Sequence, residues 1–371
     1  MFRQFAFLGL LLISRVAAGD GLPPVVCPPE HTLMPEESAF LRAHYCMDGD
    51  VRDGPFAQLG IKRGNVTTGE YRAGEVLRQK TVRRDGAPFS ELEYTDWDKK
   101  VVRIRQWKKD GSSEEFHYIG KVRHGAFRKW TAEGVLVLEQ HYDDLLEGSS
   151  RVWYPDGTPQ EEGRYRGGKR EGLWTYWHAN GKRSGVVTYA ADRVVGAYKT
   201  WFPSGMVEES GTKDDTGRKV GTWSRWHPNG QKSYEADMVA GQESGVVKEW
   251  HEDGHLISVS EYLDGQRDGV SRWYRPDGTV DSEISYKAGK EDGLFLAYFL
   301  NGRKQCEYTK SQGERHGQFV EYFPNGRKKE QGAYSHDKKH GLCMQWNEGG
   351  KLIREAEYRD GEVVEGTVKF H

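Results

Sequence analysis

The sequence predicts an all-β protein: an elongated, single-layer antiparallel sheet of stacked β-hairpins, curved and twisted. Three observations predict it. Glycines recur in pairs nine residues apart, with an aromatic residue fixed between them. The paired glycines themselves recur about every twenty-four residues. The composition is poor in aliphatic residues but rich in aromatics and glycine: 36% hydrophobic, 30% charged, 12% aromatic and 46 glycines in 371 residues. A two-layer globular domain of this length needs more aliphatic core, and a disordered chain carries fewer aromatics. A thin repetitive β structure with many tight turns suits this balance.

The chain begins with a pattern expected of a signal peptide over residues 1–19. Arg3 gives the positive start, Phe5 to Ile13 the short apolar run, and Val16-Ala17-Ala18-Gly19 the small residues for cleavage after Ala18 or Gly19. The run is too short to span a bilayer, and no cysteine stands at the cleavage point to carry a lipid anchor. The expected location is therefore periplasmic or secreted. Losing Arg3 and Arg15 with the leader takes the net charge from −2 to −4. Both signs are interspersed, a solvated-surface pattern that gives no reason to expect nucleic acid or an anionic membrane as partner. No other stretch is long and apolar enough to span a membrane.

Residues 20–124 are expected to form an N-terminal cap with degenerate repeats, covering a sheet edge that would otherwise invite aggregation. Cys27 and Cys46 flank a short acidic segment, and an exported chain can oxidise them. A disulfide closing a loop of that size contributes roughly 3 kcal/mol. His44-Tyr45-Cys46 and Gly54-Pro55-Phe56 begin an imperfect first hairpin. A weak repeat ends at Gly86 and a clearer one at Gly111, with Trp107 in the aromatic slot.

Residues 125–358 carry the regular array. The opening and closing glycines are Gly125/Gly134, Gly148/Gly157, Gly172/Gly181, Gly196/Gly205, Gly221/Gly230, Gly245/Gly254, Gly269/Gly278, Gly293/Gly302, Gly317/Gly326 and Gly341/Gly350. The fifth residue after each opening glycine is Trp130, Trp153, Trp177, Trp201, Trp226, Trp250, Tyr274, Tyr298, Tyr322 or Trp346. A fixed period in this range indicates a repeat array, not separate domains. The closing glycine usually follows Asn or Asp, and Pro often precedes, as in Pro324-Asn325-Gly326. Pro presets a turn, Asn or Asp tolerates it, and Gly takes the positive φ that closes it. Each unit is thus a hairpin, with a Tyr often eight residues beyond the closing glycine, such as Tyr165, Tyr189 and Tyr334. The opening glycine is expected to make the return turn. Residues 359–371, with Val363, Val364 and Val368, read as a closing strand. Two strands per unit at about 4.8 Å each would extend eleven units roughly 100 Å. Cys306 and Cys343 fall about three strands, or roughly 14 Å, apart on this reading, too far for a bond, and are expected to be unpaired.

The segment Tyr165-Arg166-Gly167-Gly168-Lys169-Arg170-Glu171-Gly172-Leu173-Trp174 resembles the MORN repeat, and Trp226-His227-Pro228-Asn229-Gly230 is similar to the bacterial MORN variant, commonly labelled as toxin–antitoxin antitoxins. The resemblance runs from about Gly54 to the C-terminus. It implies a MORN-like hairpin array and a binding or scaffolding role. In eukaryotic members that role is associated with proteins and phospholipids. The antitoxin label implies a neutralised cytosolic toxin, whereas the leader of this chain implies export. Spacing departs from the pattern at Lys213 to Gly217 and near Tyr308.

No metal-binding, nucleophile or phosphate-loop motif is present, so neither an enzyme nor a cofactor is expected. Asp48 to Asp53 resembles a calcium loop in outline, but Arg52 stands at a ligand position and Leu59 where the bidentate Glu belongs. His178, His227 and His251 share the sixth position of their units. Copies about 9.6 Å apart strain a shared ion, so surface-lining rings are expected.

Strand side chains alternate between faces. The fifth-position residues, Trp107 through Trp346, are expected to form a structural aromatic ladder on one face. The second-position residues Phe127, Trp174, Tyr198, Trp223, Phe295 and Phe319, with the sixth-position Tyr154, Phe202, Phe299 and Phe323, fall on the other. Left uncovered, that face is a candidate binding strip; covered by Lys and Arg stems, it is structural. The expected function is an exported, non-enzymatic binding or scaffold module for a protein partner. The alternatives are cell-wall glycan binding by aromatic stacking and toxin neutralisation by an immunity-type protein.

Overall fold

The computed structural model describes residues 22–37, 41–60, 63–98 and 100–371, so the leader lies outside the described residues. Thirty-one strands form a long antiparallel sheet of stacked hairpins, with no helix among the described residues. Strands pair with their neighbours in sequence, as expected for a hairpin array. The chain divides into two compact units, residues 1–171 and 172–371.

In the first unit, Thr32–Glu37 pairs with Leu41–Asp48, which pairs with Val51–Gly60. The Cys27–Cys46 disulfide is present, with Cα atoms 5.5 Å apart. It sits in a small core with Val25 and Ala57, against Leu22 and Leu33. Hairpins already run through the region read as a cap: Val51–Gly60 with Val66–Arg72, Glu75–Val82 with Pro88–Asp96, and Val101–Trp107 with Ser113–Ile119.

In the second unit the hairpins repeat in a constant register. Each opening glycine lies opposite the residue eight beyond the closing glycine: Gly172 opposite Tyr189, Gly245 opposite Tyr262, Gly317 opposite Tyr334 and Gly341 opposite Tyr358. The tail forms two short strands, Glu362–Val363 and Lys369–Phe370, both paired with Leu352–Arg359. Cys306 and Cys343 are free.

The closing turn follows its sequence. Gly326 N–H donates to Phe323 O at 2.8 Å, and Phe323 N–H donates to Arg327 O at 2.8 Å. Pro324 and Asn325 occupy the corners, and Gly326 takes φ +88°. This is a type I turn with a left-handed residue completing the hairpin. Asn325 Oδ1 accepts Arg327 N–H at 2.9 Å, while its Nδ2 donates to Glu348 O of the following turn at 3.0 Å. Asn180 reaches Pro203 O and Asn301 reaches Pro324 O in the same way. The turn asparagine therefore both closes its own hairpin and ties it to the next.

The return turn differs from expectation. It is made by two consecutive residues in the left-handed region, such as Ala288-Gly289 and His336-Asp337, the geometry of a type I′ turn. The opening glycine comes four residues later, inside the strand, where the register shifts between Ile284/Tyr286 or Gln331/Ala333. It is a bulge residue. Positive φ is the common reason for the glycine: Gly172, Gly221 and Gly341 have open space where a Cβ would stand, while at Gly269 and Gly293 a Cβ would also come within 2.9 Å of the Glu261 and Ser285 Cβ atoms.

Candidate functional site

The strand that opens each unit decides which rings are covered. In Glu314–Tyr322, the second-position Phe319 is buried while the fifth-position Tyr322 is half-buried. Trp174 is fully buried, Trp223 is 2% exposed, and Phe127 is buried too. Where the second position is not aromatic it is still buried, as Ser150, Val247, Ser271 and Cys343. In the second unit Trp223 and Val247 share one buried cluster with Ala236 and Met238. Burying one large apolar side chain contributes about 1.5–3 kcal/mol.

In three hairpins the residue directly across the strand is small. Tyr198 lies opposite Gly211, Trp223 opposite Ala236, and Phe319 opposite Gly332. A Cβ on Gly211 would meet the Trp223 indole at 2.3 Å, and one on Gly332 would meet Cys343 Sγ at 2.4 Å. Each ring then packs on a neighbouring phenol or indole. Phe319 and Tyr334 lie 4.5 Å apart, Phe295 and Tyr308 4.5 Å, Tyr198 and Trp223 5.4 Å, and Trp174 and Tyr189 6.0 Å. Trp223 Nε1–H donates to Thr212 O at 3.0 Å, so its one polar atom is satisfied.

The candidate binding face therefore splits in two. Phe127, Trp174, Trp223 and Phe319 are interior and have no surface to offer a partner. Tyr154, Tyr198, Phe202, Phe295, Phe299 and Phe323 are half-buried. Sequence reasoning missed the residues that cover the interior rings. They stand two positions before the opening glycine, where seven of the eleven copies from Gly54 to Gly341 carry a cation: Arg52, Arg123, Arg170, Lys219, Arg267, Arg315 and Lys339. The Lys219 ammonium lies 4.0 Å from the Trp223 ring centre, the Arg315 guanidinium 4.3 Å from Tyr334, and Lys339 5.4 Å from Phe319. Ring faces attract cations in this geometry. The signal was present in the sequence as a second cationic register beside the glycines. At the unit opening with Gly293 the pattern is exchanged. Glu291 takes the cation slot and Lys310 the tyrosine slot, and the two form an ion pair.

The fifth-position ladder is half-buried throughout, at Trp107, Trp130, Trp153, Trp177, Trp201, Trp226, Trp250, Tyr274, Tyr298, Tyr322 and Trp346. Among the described residues no ring contact joins Trp201, Trp226, Trp250, Tyr274, Tyr298, Tyr322 or Trp346 to another of the series. Cations stand between them instead. The Arg105 guanidinium lies 5.0 Å from Trp107 and 4.2 Å from Trp130. Lys232 lies 6.0 Å from Trp226 and 5.8 Å from Trp250. Tyrosine members anchor on carboxylates: Tyr298 O–H donates to Glu283 at 2.8 Å and Tyr322 O–H to Glu307 at 2.6 Å. Burial first, and then these carboxylates, push both phenols up to about 12.

Fifth- and sixth-position rings of successive units line shared surface grooves. Phe202, Tyr198 and Trp226 line one groove of about 290 Å³ with Glu208, Glu209 and Arg225. Phe299, Tyr322, Phe323 and Pro324 line another of about 400 Å³ with Cys306, Glu321 and Lys329. Both are lined by the sixth-position ring of one unit and the fifth-position ring of the next. The sixth-position histidines are structural in two units: His178 Nε2 is hydrogen-bonded to Trp201 O at 2.7 Å, and His227 Nε2 to Trp250 O at 2.9 Å.

Glycine-closed hairpins in constant register, with a buried second-position column, define an open β-hairpin repeat protein. Ion pairs between strands, such as Arg272–Glu283 and Lys339–Glu330, run along the array. The chain belongs to the MORN-repeat family. The MORN repeat variant pattern matches residues 146–166, 170–191, 219–239, 243–264, 267–288 and 339–360. The intervening hairpins opening at Gly196, Gly293 and Gly317 keep the same register without matching it. No curated protein matches the chain. MORN repeats are non-catalytic modules that bind proteins or membranes, and no helix among the described residues is long and apolar enough to cross a membrane.

Proposed function

We propose that this chain is an exported, non-enzymatic binding module that presents its inter-repeat aromatic grooves to a protein partner. The observation that carries the reading is the recurrence of one groove at two places. Phe202 and Trp226 line one copy, and Phe299 and Tyr322 the other, each pair rimmed by acidic and basic side chains. An apolar floor with a mixed-charge rim is the composition of a protein-binding patch. Arg105 lies over Trp107 and Trp130 and Lys232 over Trp226 and Trp250, which leaves less open ring at those four positions for stacking on sugars and favours protein over glycan. The Cys27–Cys46 disulfide supports an oxidising compartment, in keeping with the leader over residues 1–19. A toxin-neutralising role would be one form of the same binding activity.

The test is a pull-down from envelope extract with the mature protein and with a Phe299→Ala/Phe323→Ala variant that leaves the interior column intact. The expected result is a stoichiometric protein partner held by the native chain and lost by the variant. Equal capture by both, or capture by neither, overturns the groove as the binding surface. Mass spectrometry of the exported chain should find an N-terminus after Ala18 or Gly19. Retention of the leader in the cytosol would contradict export.

A further inference from the structure

The unit opening at Gly245 departs from its sister copies at one turn. In the turns at Asp156, Asp214 and Asp277, the aspartate accepts both the N–H and the hydroxyl of a threonine two residues on; Asp277 Oδ1 accepts Thr279 N–H at 2.9 Å and Thr279 Oγ1–H at 2.6 Å. In the turn after Trp250 that threonine is replaced by His255. His255 N–H still donates to Asp253 Oδ1 at 3.1 Å, and the His255 ring Nδ1 is also hydrogen-bonded to that oxygen. The sixth-position residue is His251. Unlike His178 and His227, it does not reach the next unit's carbonyl. It turns its Nδ1 to Asp253 Oδ1 at 3.2 Å and stacks its ring on His255, with ring centres 4.8 Å apart. The turn itself needs neither histidine, since threonine closes it elsewhere.

We propose that His251, Asp253 and His255 form a binding site for one borderline divalent transition-metal ion of the Zn²⁺ class. Their ligand atoms all lie within 4.8 Å of one another. Metal–ligand bonds of about 2.1 Å place tetrahedral donors roughly 3.4 Å apart, so the His251–Asp253 spacing already fits and small rotations bring in the rest. Two imidazoles and one carboxylate select such an ion over Ca²⁺ or Mg²⁺, which prefer oxygen donors. The surface position leaves the fourth ligand place to water, a partner side chain or a small anion. Histidines in successive copies stand two strands apart, too far to share an ion without strain; here all three ligands come from one turn.

The test is calorimetric titration of the untagged mature protein with ZnCl₂, using two variants that carry residues found at the same places in sister turns. These are His255→Thr, the residue of Thr279, and Asp253→Asn, the residue of Asn229 and Asn325. Both are expected to fold with unchanged denaturation midpoints and to lose a one-equivalent zinc isotherm shown by the native chain. A His178→Ala/His227→Ala variant is expected to keep it. Absence of that isotherm in the native chain, or its survival in His255→Thr, overturns the proposal.

Discussion

At the residue scale, three hairpins pair a large second-position ring with a small residue across the strand: Tyr198 with Gly211, Trp223 with Ala236 and Phe319 with Gly332. Phe319 fits because Gly332 faces it, and Cys343 approaches the same glycine from the next hairpin. Gly332 does not have positive φ, so its role is space. Gly332→Ala is expected to destabilise the chain by about 1–3 kcal/mol through overpacking, measured by chemical denaturation. Gly185→Ala serves as the mild comparison, because its nearest neighbour, the Tyr176 ring, would stand at 3.5 Å. The phenols give a second expectation. Tyr298 and Tyr322 are held up to about 12 from an ordinary 10.0 by burial and by Glu283 and Glu307. Between those values the native chain keeps protons that the unfolded chain releases. The stabilisation is complete below pH about 10 and is lost as pH rises toward 12. Ultraviolet titration should show late-ionising phenols, and Tyr298→Phe should flatten the alkaline fall in stability.

At the scale of the element, the hairpin was legible in the sequence and its inner face was not. Asn-Gly and Asp-Gly closing turns are local chemistry, so Pro324-Asn325-Gly326 declared its geometry without tertiary information. The period of glycines gave two strands for each of the eleven units for the same reason, but not the six strands between Thr32 and Asp96, where the paired glycines are absent. The opening glycine was harder to place. Its positive φ serves a bulge, while non-glycine residues such as Ala288 and His336 take part in the return turn. Alternation alone could not choose the core face, because both faces carry rings. The choice is written in second-order signals: Ala236 and Gly332 opposite the interior rings Trp223 and Phe319, Gly211 against the Trp223 indole from the neighbouring strand, and Arg123, Lys219, Arg315 and Lys339 two residues before the opening glycine. Each hairpin then joins the next through turn asparagines and through His178 or His227, so side chains reinforce the backbone ladder between copies.

At the scale of the whole molecule, a chain with contacts mainly between neighbours behaves as a sum of units and interfaces. Removing residues 269–292, one complete period, joins the hairpin before it to the equivalent residue Gly293. The shortened chain is expected to remain folded, with an unchanged β signature in circular dichroism and a lower denaturation midpoint. A half-period deletion within the same unit leaves a strand unpaired and is expected to aggregate. The same modularity explains how the His251–Asp253–His255 turn and the two aromatic grooves can vary without disturbing the array. They lie mostly outside the second-position column, which is buried in every copy from Gly125 to Gly341 except those carrying Tyr198 and Phe295.

That column is most directly tested by comparing Trp223→Ala with Trp226→Ala, three residues apart on one strand, by equilibrium denaturation under identical conditions. The interior ring is expected to cost about 3–5 kcal/mol on truncation, and the half-buried ladder ring about 1 kcal/mol, as for an ordinary surface-side substitution. Equal losses, or a larger loss at Trp226, would contradict the assignment of the core to the second position.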